Sequence, residues 1–295
     1  MKIFLTGGTG FVGTEILKTL LKYGYEPIVL VRDPVRLKVK DDRIQIVVGD
    51  ALKPESYSDA LKDVDTVIHL VGIIREFPSK GVTFEKMHYE ATKLLVDETV
   101  KANVKRFIHM SANGAREDGV TTYHKTKFRA EEYVRNSGLT YTIFKPSIIY
   151  GPDDSFINML NDFMKKMPVF SYFGDGSYPM QPVSVYEVAE IFVKSIENEK
   201  TFNKTFTVCG NKILSYKEIL KLIMEITGRK RVLIPVPEFI IDFAIKLFGK
   251  FSWFPIARDQ FEMLREGNTC ENNEIFQIMG IIQKDIEKTL SDYLK

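Results

Sequence analysis

The chain has 295 residues, enough for one large domain or two closely joined ones. Its 41 lysines and arginines nearly balance 39 aspartates and glutamates, so a formal charge of +2 gives no electrostatic case for nucleic-acid binding. Cys209 and Cys270 form no Cys-x-x-Cys or Cys/His cluster, which predicts buried thiols and neither a disulfide framework nor a metal site. The first residues run straight into a glycine turn, and no apolar run is long enough for a bilayer, which predicts a cytoplasmic protein without signal peptide or membrane span.

The first half of the chain alternates short apolar runs with longer amphipathic stretches. The short runs predict strands buried on both faces, over Lys2–Thr6, Pro27–Val31, Ile44–Val48, Thr66–Leu70, Arg106–Met110 and Thr140–Lys145. The longer stretches predict helices over Phe11–Tyr23, Glu55–Leu61, Phe84–Ala102 and Tyr123–Asn136. Gly24, Asn103 and Gly138 are expected to close three of these helices in the left-handed conformation. This alternation is typical of βαβ units around a parallel sheet, so the sequence predicts an α/β fold, Rossmann-like and doubly wound.

The rhythm changes after Gly151-Pro152. The rest of the chain predicts helices near Ser155–Lys166, Tyr186–Glu197, Tyr216–Thr227 and Asp285–Tyr293, mixed with short strands near Pro182–Val185, Thr205–Val208 and Val232–Pro235. We therefore expect a dinucleotide-binding domain over residues 1–150. A smaller, mostly helical substrate region over 151–295 should pack closely with it, and some of its segments are expected to return to the main sheet.

The turn after the first strand carries three glycines at a regular spacing, Gly7, Gly10 and Gly13. In a strand-turn-helix unit, the first glycine permits the tight turn, the second lets a pyrophosphate approach the backbone, and the third lets helix and strand pack closely. The N–H groups and the positive dipole end of the helix then face the phosphates. The turn therefore predicts a dinucleotide site.

Several segments resemble the extended and atypical short-chain dehydrogenases/reductases, the NAD-dependent epimerase/dehydratase superfamily. They are Thr6–Gly13, Gly49–Leu52, Val67–Gly72, Tyr123-x-x-x-Lys127, Lys145–Pro152 and Gln181–Val185. A shorter segment, Ala257-Arg258-Asp259-Gln260, resembles the branch that includes the nucleotide-binding accessory subunit of respiratory complex I. The resemblance covers most of the chain and implies a nicotinamide cofactor with substrate choice made by the smaller domain.

The end of the second strand bears on which cofactor binds. In NAD-specific folds of this type the strand ends in an acidic residue that accepts hydrogen bonds from the ribose hydroxyls. Here Val31 holds that position, and Arg32 follows it with a planar cation suited to a 2′-phosphate. The sequence therefore favours NADP(H), with NAD(H) as the other option. The alternative for Arg32 is a solvated loop residue paired with Asp33.

The resemblance implies further cofactor contacts. Asp50 matches the position that contacts the adenine amino group, with a turn-forming role as its alternative. Val71 and Gly72 match residues whose backbone passes close to the cofactor, and Pro146–Ile149 matches a segment beside the nicotinamide. The full set of candidate cofactor residues is Gly7, Thr9, Gly10, Phe11, Val12, Gly13, Arg32, Asp50, Ala51, Leu70, Val71, Gly72, Tyr123, Lys127, Pro146, Ser147, Ile148 and Ile149.

Tyr123 and Lys127 lie four residues apart on a predicted helix and therefore share a face. An ammonium within about 5 Å of a phenol favours the phenolate, so we expect the pKa of Tyr123 to fall from about 10 toward neutrality, as a tyrosine acid/base requires. The resemblance implies that this is the catalytic pair and that Lys127 also contacts the nicotinamide ribose. The alternative is an accidental pair in a chain with 13 tyrosines.

The third catalytic group departs from the family pattern. The family supplies a Ser or Thr just past the fifth strand to bind the substrate oxygen, and Ala112 occupies that position. Ser111 is one residue off and points to the opposite face of an extended segment, so Asn113 is the better-placed polar group. Either Ser111 or Asn113 holds the oxygen differently, or catalysis is reduced or lost.

The histidines are interpreted as structural. His69 and His109 fall within predicted buried strands, His124 is given the same role, and His88 has no partner that the sequence indicates.

The segment Pro237–Phe254 is unusually aromatic and carries Lys246 and Lys250. As an exposed amphipathic helix it would meet a membrane surface, a protein complex or an apolar substrate. Because Asp242 interrupts its apolar surface, we favour packing on the body of the domain.

Two functions compete. The favoured one is an NADP(H)-dependent oxidoreductase or epimerase that acts on a small or apolar carbonyl or alcohol. The other is a catalytically weak nucleotide-binding protein for assembly or sensing, related to the complex I accessory subunit and peripheral to a membrane. Tyr123 and Lys127 favour the first function, and Ala112 favours the second. The sequence gives no support for a sugar-nucleotide substrate.

Overall fold

The computed structural model describes residues 1–249, 251, 254 and 256–294. The strands are β1 (Lys2–Thr6), β2 (Glu26–Val31), β3 (Gln45–Val48), β4 (Thr66–His69), β5 (Arg106–Met110), β6 (Thr140–Pro146), β7 (Ile149–Tyr150), β8 (Val169–Phe173), β9 (Pro179–Met180), β10 (Val183–Ser184), β11 (Lys204–Val208), β12 (Leu214–Ser215) and β13 (Val232–Val236). The α-helices are α1 (Phe11–Lys22), α2 (Ala91–Lys101), α3 (Thr122–Arg135), α4 (Phe156–Lys166), α5 (Val185–Lys194), α6 (Tyr216–Thr227), α7 (Glu238–Phe248), α8 (Arg258–Glu266), α9 (Ile275–Met279) and α10 (Ile286–Ser291).

One parallel sheet carries the strands in the order β3-β2-β1-β4-β5-β6-β11. The chain runs outward from β1 to β3 and then returns to place β4 on the other side of β1. Thr6, the last residue of β1, is thus in register with Leu30 on β2 and with His69 on β4. The predicted Rossmann-like, doubly wound sheet is confirmed. In such sheets ligands bind where the strand order reverses, which here is the carboxyl end of β1 and β4.

The chain forms two compact units. The first contains residues 1–146, 185–208 and 272–281, so that α5, β11 and α9 belong with the seven-stranded sheet. The second contains residues 147–184, 209–271 and the residues from Ile282 on.

The core of the first unit lies on both faces of the sheet, as strands of continuous apolar sequence require. Phe4, Val67 and Phe107 are fully buried on three neighbouring strands, and Leu95 of α2 and Val134 of α3 are in the same cluster. Full burial of each such side chain stabilises the fold by about 1.5–3 kcal/mol. In the second unit a separate cluster is built on α4, α6 and α10, and it includes Leu160, Leu220 and Leu290.

Two predicted helices differ from expectation. Residues Glu55–Leu61 lie in two 3-10 turns, Pro54–Ser56 and Ser58–Leu61, because Tyr57 between them has a φ of −143°, which is not helical, and buries its ring. The predicted helix over Phe84–Ala102 begins with a π-helical turn at Glu85–Glu90 before α2 continues it. The left-handed residues Gly24, Asn103 and Gly138 lie where they were predicted.

The two cysteines are not free thiols, and that prediction is wrong. Cys209 and Cys270 form a disulfide in the second unit, with 6.0 Å between their α-carbons. The Gln181 side chain brings these segments together, because its amide donates to the Gly210 carbonyl at 2.7 Å and accepts from the Cys270 N–H at 3.0 Å. Because the two cysteines are 61 residues apart along the chain, the sequence pattern did not predict this contact.

Helix α7 also differs from expectation. The favoured prediction that its segment packs on the domain holds for one side of this helix, where Ile245 is buried, and is wrong for its aromatic side, where Phe239 is 72% and Phe243 64% exposed. Lys250 and Trp253 of the same segment lie outside the described residues. Among the helices that the structure describes, none has the length and apolarity to cross a bilayer.

Candidate functional site

The glycine turn connects β1 to α1 and is closed by contacts that only glycine permits. Gly7 has a φ of +78°, and its carbonyl accepts the Gly10 N–H at 3.0 Å. A β-carbon at Gly13 would lie 2.1 Å from that same carbonyl oxygen, and one at Gly7 would lie 3.1 Å from the Leu70 backbone. Gly13 is thus required for packing, as predicted.

The open side of the turn fits a pyrophosphate. A β-carbon at Gly10 would lie 3.3 Å from the Gly7 carbonyl oxygen, and apart from its chain neighbours no other atom of the described residues would lie within 4 Å of it. Gly10 is also the N-cap of α1, with no side chain bonded to the first-turn N–H groups. The helix therefore presents uncapped N–H donors and its positive dipole end to an anion. Thr9, Phe11 and Val12 of this turn are half-buried.

Arg32 follows β2 and is exposed. This exposure agrees with the alternative of a solvated loop residue, but among the described residues no ion pair joins Arg32 to Asp33. The Asp33 carboxylate accepts the Val35 N–H at 3.1 Å and caps a 3-10 turn at Pro34–Arg36.

Asp50 has the turn-forming contact that was its alternative interpretation. Its Oδ1 accepts the Leu52 N–H at 3.0 Å, and its own N–H donates to Ser56 Oγ at 3.0 Å. Ala51 beside it is buried in the core of the first unit. This contact fixes the loop after β3.

Lys127 is buried on α3 and lies against the candidate residue Gly72 and the end of β5. Its Nζ donates to the Met110 carbonyl at 3.0 Å, at the end of β5. A β-carbon at Gly72 would lie 2.9 Å from the same nitrogen, so this glycine leaves room for the ammonium. Burial lowers the pKa of Lys127 to about 8, and the Glu131 carboxylate acts in the opposite direction. The structure thus brings Lys127, Gly72 and the end of β5 together.

Tyr123 lies in the first turn of α3, where Thr121 caps the helix by accepting the His124 N–H at 3.1 Å. Its ring packs edge-on against His88 and Phe84, with centroid distances of 5.1 and 5.6 Å. Burial raises the pKa of Tyr123 to about 12, because the phenolate would lose its hydration. The expected lowering of this pKa is therefore not found, and the phenol is protonated at neutral pH.

The segment after β5 carries the three residues considered for the substrate oxygen. Ala112 is buried, and its methyl group offers no donor. Ser111 is also buried, and its hydroxyl donates to the Glu131 carboxylate at 2.5 Å, so it faces the protein interior. Asn113 is half-buried, and its Oδ1 accepts the Gly114 N–H at 3.1 Å. Of the two polar candidates, Asn113 is the more accessible one.

All four histidines, including His124 beside Tyr123, are buried in the first unit. His69 joins the ends of β1 and α2, because its Nδ1 is 2.7 Å from Thr6 Oγ1 and its Nε2 is 3.1 Å from Thr92 Oγ1. His88, for which the sequence indicated no partner, has Nε2 within hydrogen-bond distance of the backbone N and O of Ile73 and Nδ1 3.0 Å from Thr126 Oγ1. His109 stacks on His69 at 5.5 Å. These contacts fix the loop after β4.

Acidification should destabilise the protein through these histidines. Burial lowers the pKa of His69 to about 3 and of His88 to about 2, and it lowers the pKa of His109 well below its usual 6.5. The unfolded chain takes up protons below pH 6.5 and the folded chain does not, so stability is full above that pH and is lost as pH falls. Between pH 7 and pH 5, the free energy of unfolding of His109→Phe should therefore fall by about 2 kcal/mol less than that of the parent.

The measurement is denaturant unfolding at the two pH values. His109 is the appropriate site because neither ring nitrogen has a partner within the described residues, so phenylalanine leaves no new polar group unpaired. Equal losses in both proteins would show that His109 takes up a proton in the folded state.

The remaining candidates are near the start of the second unit. Ser147 Oγ donates to the Gln181 carbonyl at 2.6 Å, and the Ile148 N–H donates to Asn268 Oδ1 at 2.8 Å. Ile149 begins β7, which pairs with β10. Pro146, the last residue of β6, accepts the Asn113 N–H within the first unit. Asn268 was missed by the sequence interpretation, since nothing in its local pattern points to residue 148.

The seven-stranded parallel sheet and the glycine turn before its first helix define a Rossmann-like α/β protein. The family described as NAD(P)H-binding matches residues 7–199, and the chain belongs to that family.

Known proteins similar to this chain include subunits and assembly factors as well as enzymes. The mitochondrial NADH-ubiquinone oxidoreductase 40 kDa subunit of Neurospora crassa is 26% identical over 98% of this chain and 77% of the relative. Photosystem II assembly factor Ycf39 of Synechocystis is 25% identical over 100% of this chain and 90% of the relative. A double mutant of dTDP-glucose 4,6-dehydratase from Streptomyces venezuelae, solved with NAD, superposes with a TM-score of 0.81 at 18% identity, covering 100% of this chain and 96% of that one. The last likeness shows the fold, and the Neurospora relative confirms the resemblance to the complex I branch.

Proposed function

We propose that this chain binds NADP(H) at the carboxyl end of its parallel sheet and acts as an oxidoreductase or epimerase on a small or apolar carbonyl or alcohol. The observation that carries the proposal is Lys127, a buried ammonium at the end of β5 that lies against Gly72 and one helical turn from Tyr123. A buried cation costs much free energy, so its retention at the ligand edge of the sheet supports a functional role.

Each residue has a task in this proposal. The glycine turn binds the pyrophosphate, Arg32 pairs with the 2′-phosphate, and Lys127 holds the nicotinamide ribose. Bound NADPH supplies the hydride. In the reducing direction Tyr123 donates its proton to the substrate oxygen, which agrees with a phenol that is protonated at neutral pH. The Lys127 ammonium then stabilises the phenolate that remains, and Asn113 is the side chain proposed to orient the substrate oxygen in place of a hydroxyl at position 112.

The choice of NADP(H) is tested at Arg32. Replacing Arg32 by alanine should weaken NADPH binding by about 10- to 100-fold, since a charge-assisted bidentate pair with the 2′-phosphate is lost. Binding of NADH, which lacks that phosphate, should change by less than about twofold. Both dissociation constants are measured by cofactor fluorescence or calorimetry.

A matched control for this measurement is Arg43→Ala. Arg43 is engaged by the Asp41 carboxylate at 2.8 Å before β3, and it is not among the candidate residues. If the parent binds both cofactors and Arg32→Ala binds NADPH as tightly as the parent does, the assignment to NADP(H) is refuted. No binding of either cofactor by the parent would refute the proposal as a whole.

The exposed face of α7 favours a second candidate function, that of a nucleotide-binding subunit of a larger, membrane-peripheral assembly. Phe239, Ile240, Phe243 and Leu247 form one exposed apolar stripe on this helix. The helix is fixed on its other side, where Glu238 accepts from Tyr178 Oη at 2.6 Å and pairs with Arg265 at 3.1 Å. An exposed apolar stripe on an anchored helix is typical of a protein contact surface. The Neurospora relative is by name a subunit of NADH-ubiquinone oxidoreductase.

The second candidate predicts loss of assembly when the stripe is made polar. In the native host, a Phe239→Ser/Phe243→Ser variant should leave the high-mass complex, as seen by native gel electrophoresis, because two exposed anchors are removed. The control is Ile282→Ser, an apolar side chain that is 92% exposed elsewhere in the same unit. If the double variant still migrates with the complex, a protein partner at this stripe is contradicted. The same conclusion follows if the purified parent binds lipid vesicles and the double variant does not.

A further inference from the structure

Glu131 is a fully buried carboxylate on α3 that the proposed mechanism does not use. Its Oε1 accepts the Ser111 hydroxyl at 2.5 Å and lies 3.4 Å from Lys145 Nζ, and its Oε2 accepts from Arg135 at 2.7 Å. A buried carboxylate is costly unless it is paired and hydrogen-bonded, and here three side chains meet that need. The arrangement therefore joins α3, β6 and the segment after β5.

The Met110–Ala115 segment is held at several points along its length by the same elements. Lys127 donates to the Met110 carbonyl, and Ser111 donates to Glu131, so two successive residues are bound by side chains one turn apart on α3. Lys145 donates to the Ala115 carbonyl at 2.5 Å. The backbone N–H groups of Ser111 and Asn113 donate to the Phe144 and Pro146 carbonyls, which continues the pairing of β5 with β6.

We propose that Glu131 is a positioning residue that fixes the Met110–Ala115 segment and holds Lys127 as a charged ammonium at the cofactor site. This inference rests on the proposed binding of NADP(H). Glu131 touches neither cofactor nor substrate in it. It acts through Ser111, whose hydroxyl donates to it, and through Lys127, which lies one turn earlier on the same helix and whose protonated form is favoured by the negative charge of Glu131.

The charges around Lys127 agree with this role. His69, His88 and His109 lie close enough to disfavour a positive charge there, but burial keeps all three neutral at pH 7. Tyr123 is protonated at that pH. Arg135 and Lys145 are held against Glu131 itself. Glu131 is the group that raises the pKa of Lys127 against the effect of burial.

The test is the dissociation constant of NADPH between about pH 6 and pH 9 for the parent, Glu131→Gln and Glu132→Gln. Glutamine retains an oxygen for Ser111 but removes the charge, so Lys127 should lose its proton at lower pH. Glu131→Gln should bind NADPH as the parent does at about pH 6 and about tenfold more weakly at about pH 9, which corresponds to about one pKa unit. Glu132 is the matched control, since it also pairs with Arg135 but is 46% exposed.

A second variant covers the case in which glutamine prevents folding, which circular dichroism would reveal. Glu131→Asp keeps the charge and shortens the side chain, so it should keep the parent's pH profile while binding NADPH about threefold more weakly throughout, because Ser111 is held less well. Parallel profiles for Glu131→Gln and the parent, or a profile for Glu131→Asp displaced to lower pH, overturn the role of Glu131. Absence of NADPH binding by the parent at every pH overturns the proposed function, and the inference with it.

Discussion

Replacing Gly13 by alanine is expected to abolish NADPH binding and to lower the free energy of unfolding by about 3 kcal/mol. The added β-carbon would lie 2.1 Å from the Gly7 carbonyl oxygen and 2.8 Å from the Gly8 α-carbon. Both contacts are with backbone, which has no side-chain rotamer to move away. The start of α1 must therefore shift off β1, and the N–H groups of its first turn no longer face the position proposed for the pyrophosphate. Calorimetric titration with NADPH and denaturant unfolding measure the two effects.

Substitutions at two other glycines separate the expected effect on NADPH binding from the expected effect on stability. Gly24→Asn is the control for stability, because Gly24 has open space around its α-carbon and a φ of +81° that asparagine tolerates. Gly10→Ala should leave the protein folded, since the contact of the added carbon with the Gly7 carbonyl oxygen is 3.3 Å rather than 2.1 Å, but it should weaken NADPH binding by filling the open side of the turn. Unaltered affinity in Gly10→Ala would mean that the cofactor does not approach the backbone at Gly10.

The sequence predicted the parts of this protein that depend on local pattern. The bounds of β1 and β5 agree with the predicted ones, because each strand is a short, mostly apolar run that ends where the chain turns. The glycine spacing predicted the packing of Gly13 on Gly7 for a similar reason, since strand, turn and helix are contiguous. The left-handed helix ends at Gly24 and Gly138 are also local properties.

The features that the sequence could not predict depend on contacts between distant segments. The Tyr123 pKa is raised because Phe84 and His88 close around the ring, whereas the spacing to Lys127 alone suggested a lower value. The disulfide forms because the Gln181 side chain binds both Gly210 and Cys270, which belong to two segments that are far apart in sequence. Glu131 was visible one turn after Lys127, but its burial and its bond to Ser111 were not.

Replacing Tyr123 by phenylalanine decides between the two candidate functions. Under the enzyme hypothesis, turnover of NADPH with a carbonyl substrate should fall by about 10²- to 10⁴-fold, the usual contribution of a positioned general acid. NADPH affinity should change by less than about threefold, because the ring that packs on Phe84 and His88 is retained and just the hydroxyl is lost. The assay is NADPH oxidation with a panel from short aldehydes to long-chain ketones.

Tyr133→Phe is the matched control for that assay, since Tyr133 lies on the same helix and donates its hydroxyl to Asp97 at 2.6 Å, away from the candidate residues. The parent's rate should fall as the pH rises through about 8, where Lys127 loses its proton, while Tyr123 stays protonated throughout. Equal turnover in Tyr123→Phe and the parent would remove this tyrosine from the mechanism. If the parent binds NADPH tightly but turns over no member of the panel, a role in assembly through the α7 stripe explains the protein better. Ala112 would then be the position at which the group for the substrate oxygen is missing.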